Sequence, residues 1–134
     1  IDHFKAINDR HGHLVGDRVI TQVAAELGRV LDPGTPLFRY GGEEFAVMLA
    51  DADAGAGAAL AERLRDAVAR GDFQGMHVTV SIGVAHWRRG DGSVALAVDR
   101  ADRALYDAKD AGRDRVILSP AAHGAAPPPA QGTT

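Results

Sequence analysis

The chain has 134 residues, 46% of them hydrophobic and 25% charged, which suits one globular domain with a single core. Its net charge of −3 excludes a general attraction to nucleic acid or to an anionic membrane, so any phosphate binding has to be local. The absence of cysteine excludes disulfides and thiol chemistry. No signal peptide or membrane-length apolar run is recognisable, so we expect a cytoplasmic segment without direct membrane contact.

The first half of the chain predicts a short helical turn at residues 4–9, then a long helix at 15–31 with an apolar stripe. A Pro-Gly turn ends this helix. Residues 36–40 and 43–49 predict a hairpin whose two-residue turn is Gly41-Gly42, where glycine accepts a positive φ. Because residues 45–49 are apolar throughout, we expect a central strand covered on both faces.

The second half predicts two further helices and two strands. Asp53 is expected to cap a helix, alternation at residues 78–84 predicts a strand, and Ser93 is expected to cap a last helix that Gly112 ends. Residues 115–118 predict a closing strand. The expected inner faces of the two helices are Ala58, Ala61, Leu64 and Val68, then Val94, Ala97, Val98, Ala101, Leu105 and Ala108.

This order predicts an α+β fold of the ferredoxin-like kind, with a mainly antiparallel central sheet and flanking helices. We expect residues 1–118 to form one domain that lacks its first helix or strand, because the chain begins abruptly and resembles part of something longer. Residues 119–134 are Ala, Pro and Gly-rich without periodicity, which predicts a disordered tail.

Two carboxylates, Glu43 and Glu44, follow the Gly-Gly turn directly. A bare turn followed by paired carboxylates on a rigid scaffold is suited to a metal ion or a nucleotide phosphate. The alternative is a solvated hairpin tip without function, and this stretch alone does not decide between the two.

Four separate segments resemble the diguanylate cyclase (GGDEF) family, in the family's order and with matching elements. The central match is Gly41-Gly42-Glu43-Glu44-Phe45, a variant with Glu at the third position. The others are Asp2-His3-Phe4-Lys5-Ala6-Ile7-Asn8-Asp9 with the following His11-Gly12-His13-Leu14-Val15-Gly16-Asp17, Val80-Ser81-Ile82-Gly83-Val84-Ala85, and Ala101 through Arg113. The resemblance covers the chain to about Leu118.

The resemblance implies an enzyme that joins two GTP molecules into cyclic di-GMP with release of two pyrophosphates. It implies Mg²⁺, with Mn²⁺ as a substitute, and a second identical domain that carries the other GTP. A sensory or regulatory domain upstream is also implied, and this segment leaves open whether a longer parent is membrane-anchored. We expect the chain on its own to be inactive, since the family's first metal carboxylate would precede Ile1. We also expect it to be marginally stable and prone to association, since a missing central strand would leave an uncovered sheet edge and exposed apolar surface.

The resemblance also implies roles for individual residues. Glu43 would bind metal and deprotonate the ribose 3′-hydroxyl, with the carbonyl of Ile1 as a further metal ligand and Glu44 as a possible second contact. Asn8 and Asp17 would read guanine, while Lys5 would steady charge on the phosphates. The resemblance implies three further substrate contacts. These are the backbone at His3 and Phe4, the turn without side chains at Gly41 and Gly42, and the side chains of Lys109 and Arg113, which would contact the terminal phosphates.

Each of these residues also has a purely structural interpretation. Asn8 could be a turn residue, Asp17 an acid in the first turn of its helix, and Lys109 and Arg113 cations at a helix C-terminus. For the domain as a whole, the alternative to catalysis is a nucleotide-sensing module that regulates a fused partner. The six histidines show no zinc-ligand spacing, so we reject a zinc site.

Many members of the family bind their product at an Arg-x-x-Asp motif five residues before the Gly-Gly pair. The corresponding positions here are Asp32 and Thr35. A carboxylate in place of the guanidinium would repel the dianionic product, so we expect no product inhibition through this loop.

Overall fold

The computed structural model describes residues 1–120, so all but the first two residues of the tail predicted to be disordered, 119–134, lie outside the described part of the chain. Of those two, Ser119 still donates its amide to the Val84 carbonyl at 2.7 Å. None of the helices in this part combines the length and hydropathy that a bilayer crossing needs. The elements in chain order are α1 (Phe4–His11), α2 (His13–Val30), β1 (Leu37–Arg39), β2 (Phe45–Val47), α3 (Ala54–Arg70), β3 (Ile82–Val84), α4 (Val94–Asp110) and β4 (Val116–Leu118).

The core forms where α2 and α3 bury their apolar stripes against each other and against the segment that leads into β3. Its buried residues are Val19, Val23, Leu27, Leu31, Leu64, Val68, Phe73, Val78 and Val80. Spacing of three and four residues along both helices places these side chains on one face, as the sequence predicted. The predicted cap of α3 is confirmed, because the Asp53 carboxylate accepts a hydrogen bond from the Ala56 amide at 2.7 Å.

The hairpin of β1 and β2 is antiparallel, as predicted, but its turn is longer than the sequence suggested. Tyr40 faces Glu44, and the Gly41 amide closes the loop on the Glu44 carbonyl at 3.3 Å, so three residues form the connection. The predicted positive φ is wrong for Gly41 and Gly42. The predicted cover on both faces is also wrong at the end of the strand, where Met48 is 52% exposed.

The pairing of β3 with β4 is parallel, an exception whose position the prediction of a mainly antiparallel sheet did not specify. The two helices α3 and α4 cover opposite faces of this pair: a Cβ on Gly83 would collide with the backbone of α4, whereas Val84 reaches Gly57 on α3. Alternation along the strand explains both contacts. The prediction that Val94 lies on the inner face of α4 is wrong, since this residue is 43% exposed. The predicted inner residues Ala97 and Ala108 are buried.

Residues Ile1 and Asp2 connect the hairpin to the β3 segment. The amino group of Ile1 donates to the Glu43 carbonyl at 3.1 Å, and the Asp2 amide donates to the Thr79 carbonyl at 2.9 Å. The strands of the described residues form two separate two-stranded sheets, β1–β2 and β3–β4, and these two hydrogen bonds link one to the segment that precedes the other. The α+β class is confirmed.

Candidate active site

An open cleft of about 390 Å³ lies where the beginning, the middle and the end of the described chain meet. Five of its lining residues come from the start of the chain, namely Ile1, Asp2, His3, Phe4 and Lys5, and the others are Ala6, Asp9, Glu43, Lys109 and Arg113. The fold therefore brings together seven of the residues that the sequence singled out: Ile1, His3, Phe4, Lys5, Glu43, Lys109 and Arg113.

The N-terminus of α1 forms one wall of the cleft. His3 has a left-handed backbone (φ 55°) and is followed by the helical Phe4, so consecutive backbone N–H groups at the helix start point in one direction. Such a nest, combined with the positive end of the helix dipole, favours an anion. Lys5 is exposed on the first turn of the same helix and adds a full positive charge at the cleft.

The hairpin loop brings one carboxylate to the opposite wall. Glu43 is half-buried and lines the cleft. Glu44 does not line it, and its carboxylate lies beside Gly41 instead. The Arg39 guanidinium donates to the carbonyls of Gly41 and Gly42, at 3.3 Å and 2.7 Å, which holds the loop against its own strand.

The end of α4 supplies the other two cations. Lys109 lies in the last turn of the helix, where the helix dipole favours a cation, so the structural interpretation remains available for this residue. Arg113 lies beyond the helix, and its amide donates to the Ala108 carbonyl at 2.9 Å. Both residues line the cleft, so the positive charges of Lys5, Lys109 and Arg113 converge on one space.

Asp2 is a residue of the site region that sequence reasoning did not single out for a role. The residue is 4% exposed, and its carboxylate accepts hydrogen bonds from Ser81 Oγ at 2.6 Å, Thr79 Oγ1 at 2.7 Å and the Asp114 amide at 3.1 Å. Burial by itself raises the pKa of Asp2, but these three hydrogen bonds outweigh it and the pKa is lowered. Two features of the sequence could have indicated this role: the position of Asp2 within the motif at residues 2–9, and the hydroxyl side chains at the alternate positions 79 and 81.

Asn8 lies outside the lining of the cleft, on α1, where its side chain packs against Gly16 of α2. Asn8 is within a helix, so the turn-residue interpretation is wrong. Among residues 1–120, its Oδ1 is a buried side-chain oxygen without a hydrogen-bond partner. A buried acceptor that the protein leaves unpaired is suited to a donor on a ligand.

Asp17 is exposed and lines a second, shallower depression of about 450 Å³ beside α2. The helix begins at His13, so Asp17 lies beyond its first turn, and no acid occupies that turn. The first-turn interpretation of this acid is therefore wrong.

The oxygen atoms available to a metal ion in the cleft are few. Within residues 1–120, no three His, Asp or Glu side chains are grouped to hold an ion. The Glu43 carboxylate and the Ile1 carbonyl belong to residues joined by a hydrogen bond, and the Asp2 carboxylate already accepts three hydrogen bonds from the protein. Two protein oxygens fit Mg²⁺, which retains several waters and completes its octahedron with substrate phosphates.

Comparison with known proteins agrees with this arrangement. Residues 1–115 match the family model for the diguanylate cyclase GGDEF domain. Diguanylate cyclase A of Treponema denticola is 44% identical over 123 residues, which cover 89% of this chain and 33% of that protein. Diguanylate cyclase DgcP of Pseudomonas aeruginosa is also 44% identical over 123 residues, covering 89% of this chain and 18% of that protein.

A solved structure gives the same result for the fold. The active GGEEF domain of a diguanylate cyclase from Vibrio cholerae superposes with a TM-score of 0.84 at 36% identity, covering 90% of this chain and 78% of that one. The chain spans a third or less of the length of the two curated relatives above. With its matched residues and its cleft, this chain belongs to the GGDEF family of diguanylate cyclase domains, in the variant that carries Glu at the third position of the motif.

Proposed function

We propose that this domain binds one GTP and, paired with a second copy, forms cyclic di-GMP. The observation that carries the proposal is the convergence of Lys5, Glu43, Lys109 and Arg113, from three distant parts of the chain, on one open cleft. A cleft with three cations and a helix N-terminus suits a triphosphate, and a carboxylate opposite them suits acid–base or metal chemistry.

The triphosphate would lie along the N-terminus of α1. The N–H groups at His3 and Phe4 would donate to phosphate oxygens, Lys5 would neutralise charge that develops during transfer, and Lys109 with Arg113 would hold the terminal phosphates. Phosphoryl transfer asks mainly for alignment and charge neutralisation, and these groups provide both.

The guanine would lie toward α2. The unpaired Oδ1 of Asn8 would accept from the base, and Asp17 would accept from two N–H groups at its edge. The bare turn at Gly41 and Gly42 would let the nucleotide approach the hairpin backbone, since a Cβ on Gly42 would meet nothing within 4 Å.

The reaction would begin when Glu43 accepts the proton of the ribose 3′-hydroxyl. The freed oxygen attacks the α-phosphorus of the GTP on the facing domain, a new phosphodiester bond forms, and the bond to the β-phosphate breaks with release of pyrophosphate. Mg²⁺ or Mn²⁺, held by Glu43 and the Ile1 carbonyl with Glu44 as a further candidate, would neutralise phosphate charge when bound. Reciprocal attack in a twofold pair closes the cyclic product.

The proposal places this chemistry in the cytoplasm, where GTP is available, with an upstream regulatory domain as a further partner. It is tested by measuring cyclic di-GMP formation by the protein that carries this domain, with and without Mg²⁺. Glu43→Gln is expected to lower turnover by at least about 100-fold, because general-base catalysis alone contributes 10²–10⁴-fold. GTP affinity should change much less, since Gln keeps the size of the side chain and one oxygen that can still accept a hydrogen bond.

Glu26→Gln is the matched control, because Glu26 lies on α2, does not line the cleft and should leave the activity unchanged. Near wild-type product formation by Glu43→Gln would refute the catalytic role. Metal-independent GTP binding without turnover by the wild-type protein would support a nucleotide-sensing module instead.

A further inference from the structure

The loop after α4 carries Arg113 on an unfavourable backbone. Three consecutive residues have positive φ, namely 120° at Gly112, 65° at Arg113 and 47° at Asp114. Glycine adopts such angles without steric cost, but two successive non-glycine residues keep them only when neighbouring groups hold them. The direction of the Arg113 side chain toward the cleft therefore depends on what anchors this loop.

Asp114 is the residue through which the loop is anchored. Its amide donates to Asp2 Oδ2 at 3.1 Å, and its carboxylate Oδ1 accepts from Arg65 Nη1 at 2.8 Å. Arg65 lies on α3, does not line the cleft, and has a side chain that is only 18% exposed. Its Nε donates to Glu62 Oε1 at 3.0 Å, so one guanidinium joins a carboxylate on its own helix to one in the loop.

We propose that Arg65 is a positioning residue for nucleotide binding: it holds Asp114, and through Asp114 it orients Arg113 toward the terminal phosphates. The inference rests on the proposed function for the ligand, but the anchor itself rests on the contacts above. A guanidinium is suited to this task because its planar fork engages two carboxylates in fixed directions, which a lysine ammonium does not.

The first experiment is a double-mutant cycle on the protein that carries this domain, with KM for GTP and kcat as readouts. Arg65→Gln is expected to raise KM about tenfold and to change kcat less than about twofold. This is the pattern of a mutation that weakens substrate binding equally in the ground state and the transition state. In an Arg113→Ala background, Arg65→Gln should have no further effect on KM. The matched control is Arg63→Gln, an exposed arginine on the same helix, which should leave both parameters unchanged.

The second experiment measures the anchor without any nucleotide. Amide hydrogen exchange at Asp114 should accelerate in Arg65→Gln and remain as in the wild type in Arg63→Gln, because only the former frees the loop. If the protein makes no cyclic di-GMP, the proposed function is refuted. The exchange rates at Asp114 would still show whether Arg65 anchors the loop. Equal exchange in the two variants, or a KM effect of Arg65→Gln that persists without Arg113, would overturn the inference.

Discussion

The contact between Gly16 and Asn8 allows guanine recognition to be separated from stability. Gly16 is buried within α2, and a Cβ built on it would overlap with Asn8 Oδ1 and lie 2.9 Å from Asn8 Cγ and 3.3 Å from Phe4 Cζ. Gly16→Ala must therefore displace the Asn8 amide. The displaced group is the end of a flexible side chain, so the backbone of both helices can remain in place.

The two effects of Gly16→Ala have different magnitudes. Alanine gains about 1 kcal/mol of helix propensity over glycine, which offsets the cost of moving Asn8, and Oδ1 has no hydrogen bond to lose. We expect the free energy of unfolding to change by less than about 1 kcal/mol. A guanine that loses its partner leaves a polar group unsatisfied at a cost of about 1–3 kcal/mol, which weakens GTP binding roughly 5- to 150-fold.

The assay is calorimetric titration of each variant with non-hydrolysable analogues of GTP and of ATP, alongside urea unfolding. Gly16→Ala should lose most of the preference for the guanine nucleotide. Gly28→Ala is the control on the same helix, because nothing lies within 4 Å of its added Cβ, and it should gain stability without a change in binding. A Gly16→Ala variant with wild-type affinity and wild-type preference for GTP would refute the role of Asn8.

Two further predictions concern packing and feedback. Gly83→Ala should lower the free energy of unfolding by at least about 1–3 kcal/mol, because its Cβ would collide with the Ala101 carbonyl and the backbone of α4; an unchanged thermal midpoint would contradict the packing described. Cyclic di-GMP should not bind tightly at the turn formed by residues 32–35, where Asp32 is exposed and the preceding Arg29 is engaged with Glu26. Calorimetry with the active site blocked by a GTP analogue tests this, and tight binding that Arg29→Ala abolishes would show that the loop is a product site.

Elements whose determinants lie close together in the chain were predicted well. The long helices follow from apolar spacing, and the Asp53 cap follows from the residues beside it. The hairpin was predicted in position and direction, but its loop length was not, because Gly-Gly is compatible with more than one turn. The parallel β3–β4 pair was not specified because pairing between distant strands is set by the whole topology, which local alternation does not report.

The same distinction applies to the site. Seven of the ten residues that line the cleft were recognised by motif, whereas the residues that support them were not. Arg65 lies 49 positions from Asp114, and on α3 it resembles any exposed helix arginine with a Glu three residues before it. Only the fold brings its guanidinium to the loop that carries Arg113. Contacts of this kind have no sequence signature, since each partner has an ordinary local role available.

The hydrogen bond between Asp2 and the Asp114 amide has a consequence for how the chain folds as it is synthesised. Its partners are 112 positions apart, and the contacts of Asp2 with Thr79 and Ser81 span 77 and 79 positions. Contacts of such high sequence separation form late and slow the folding rate. On the ribosome, α2 can form early, but the cleft is complete only after Asp114 has left the exit tunnel, so until then the nascent domain has no assembled phosphate site and keeps apolar surface available to chaperones.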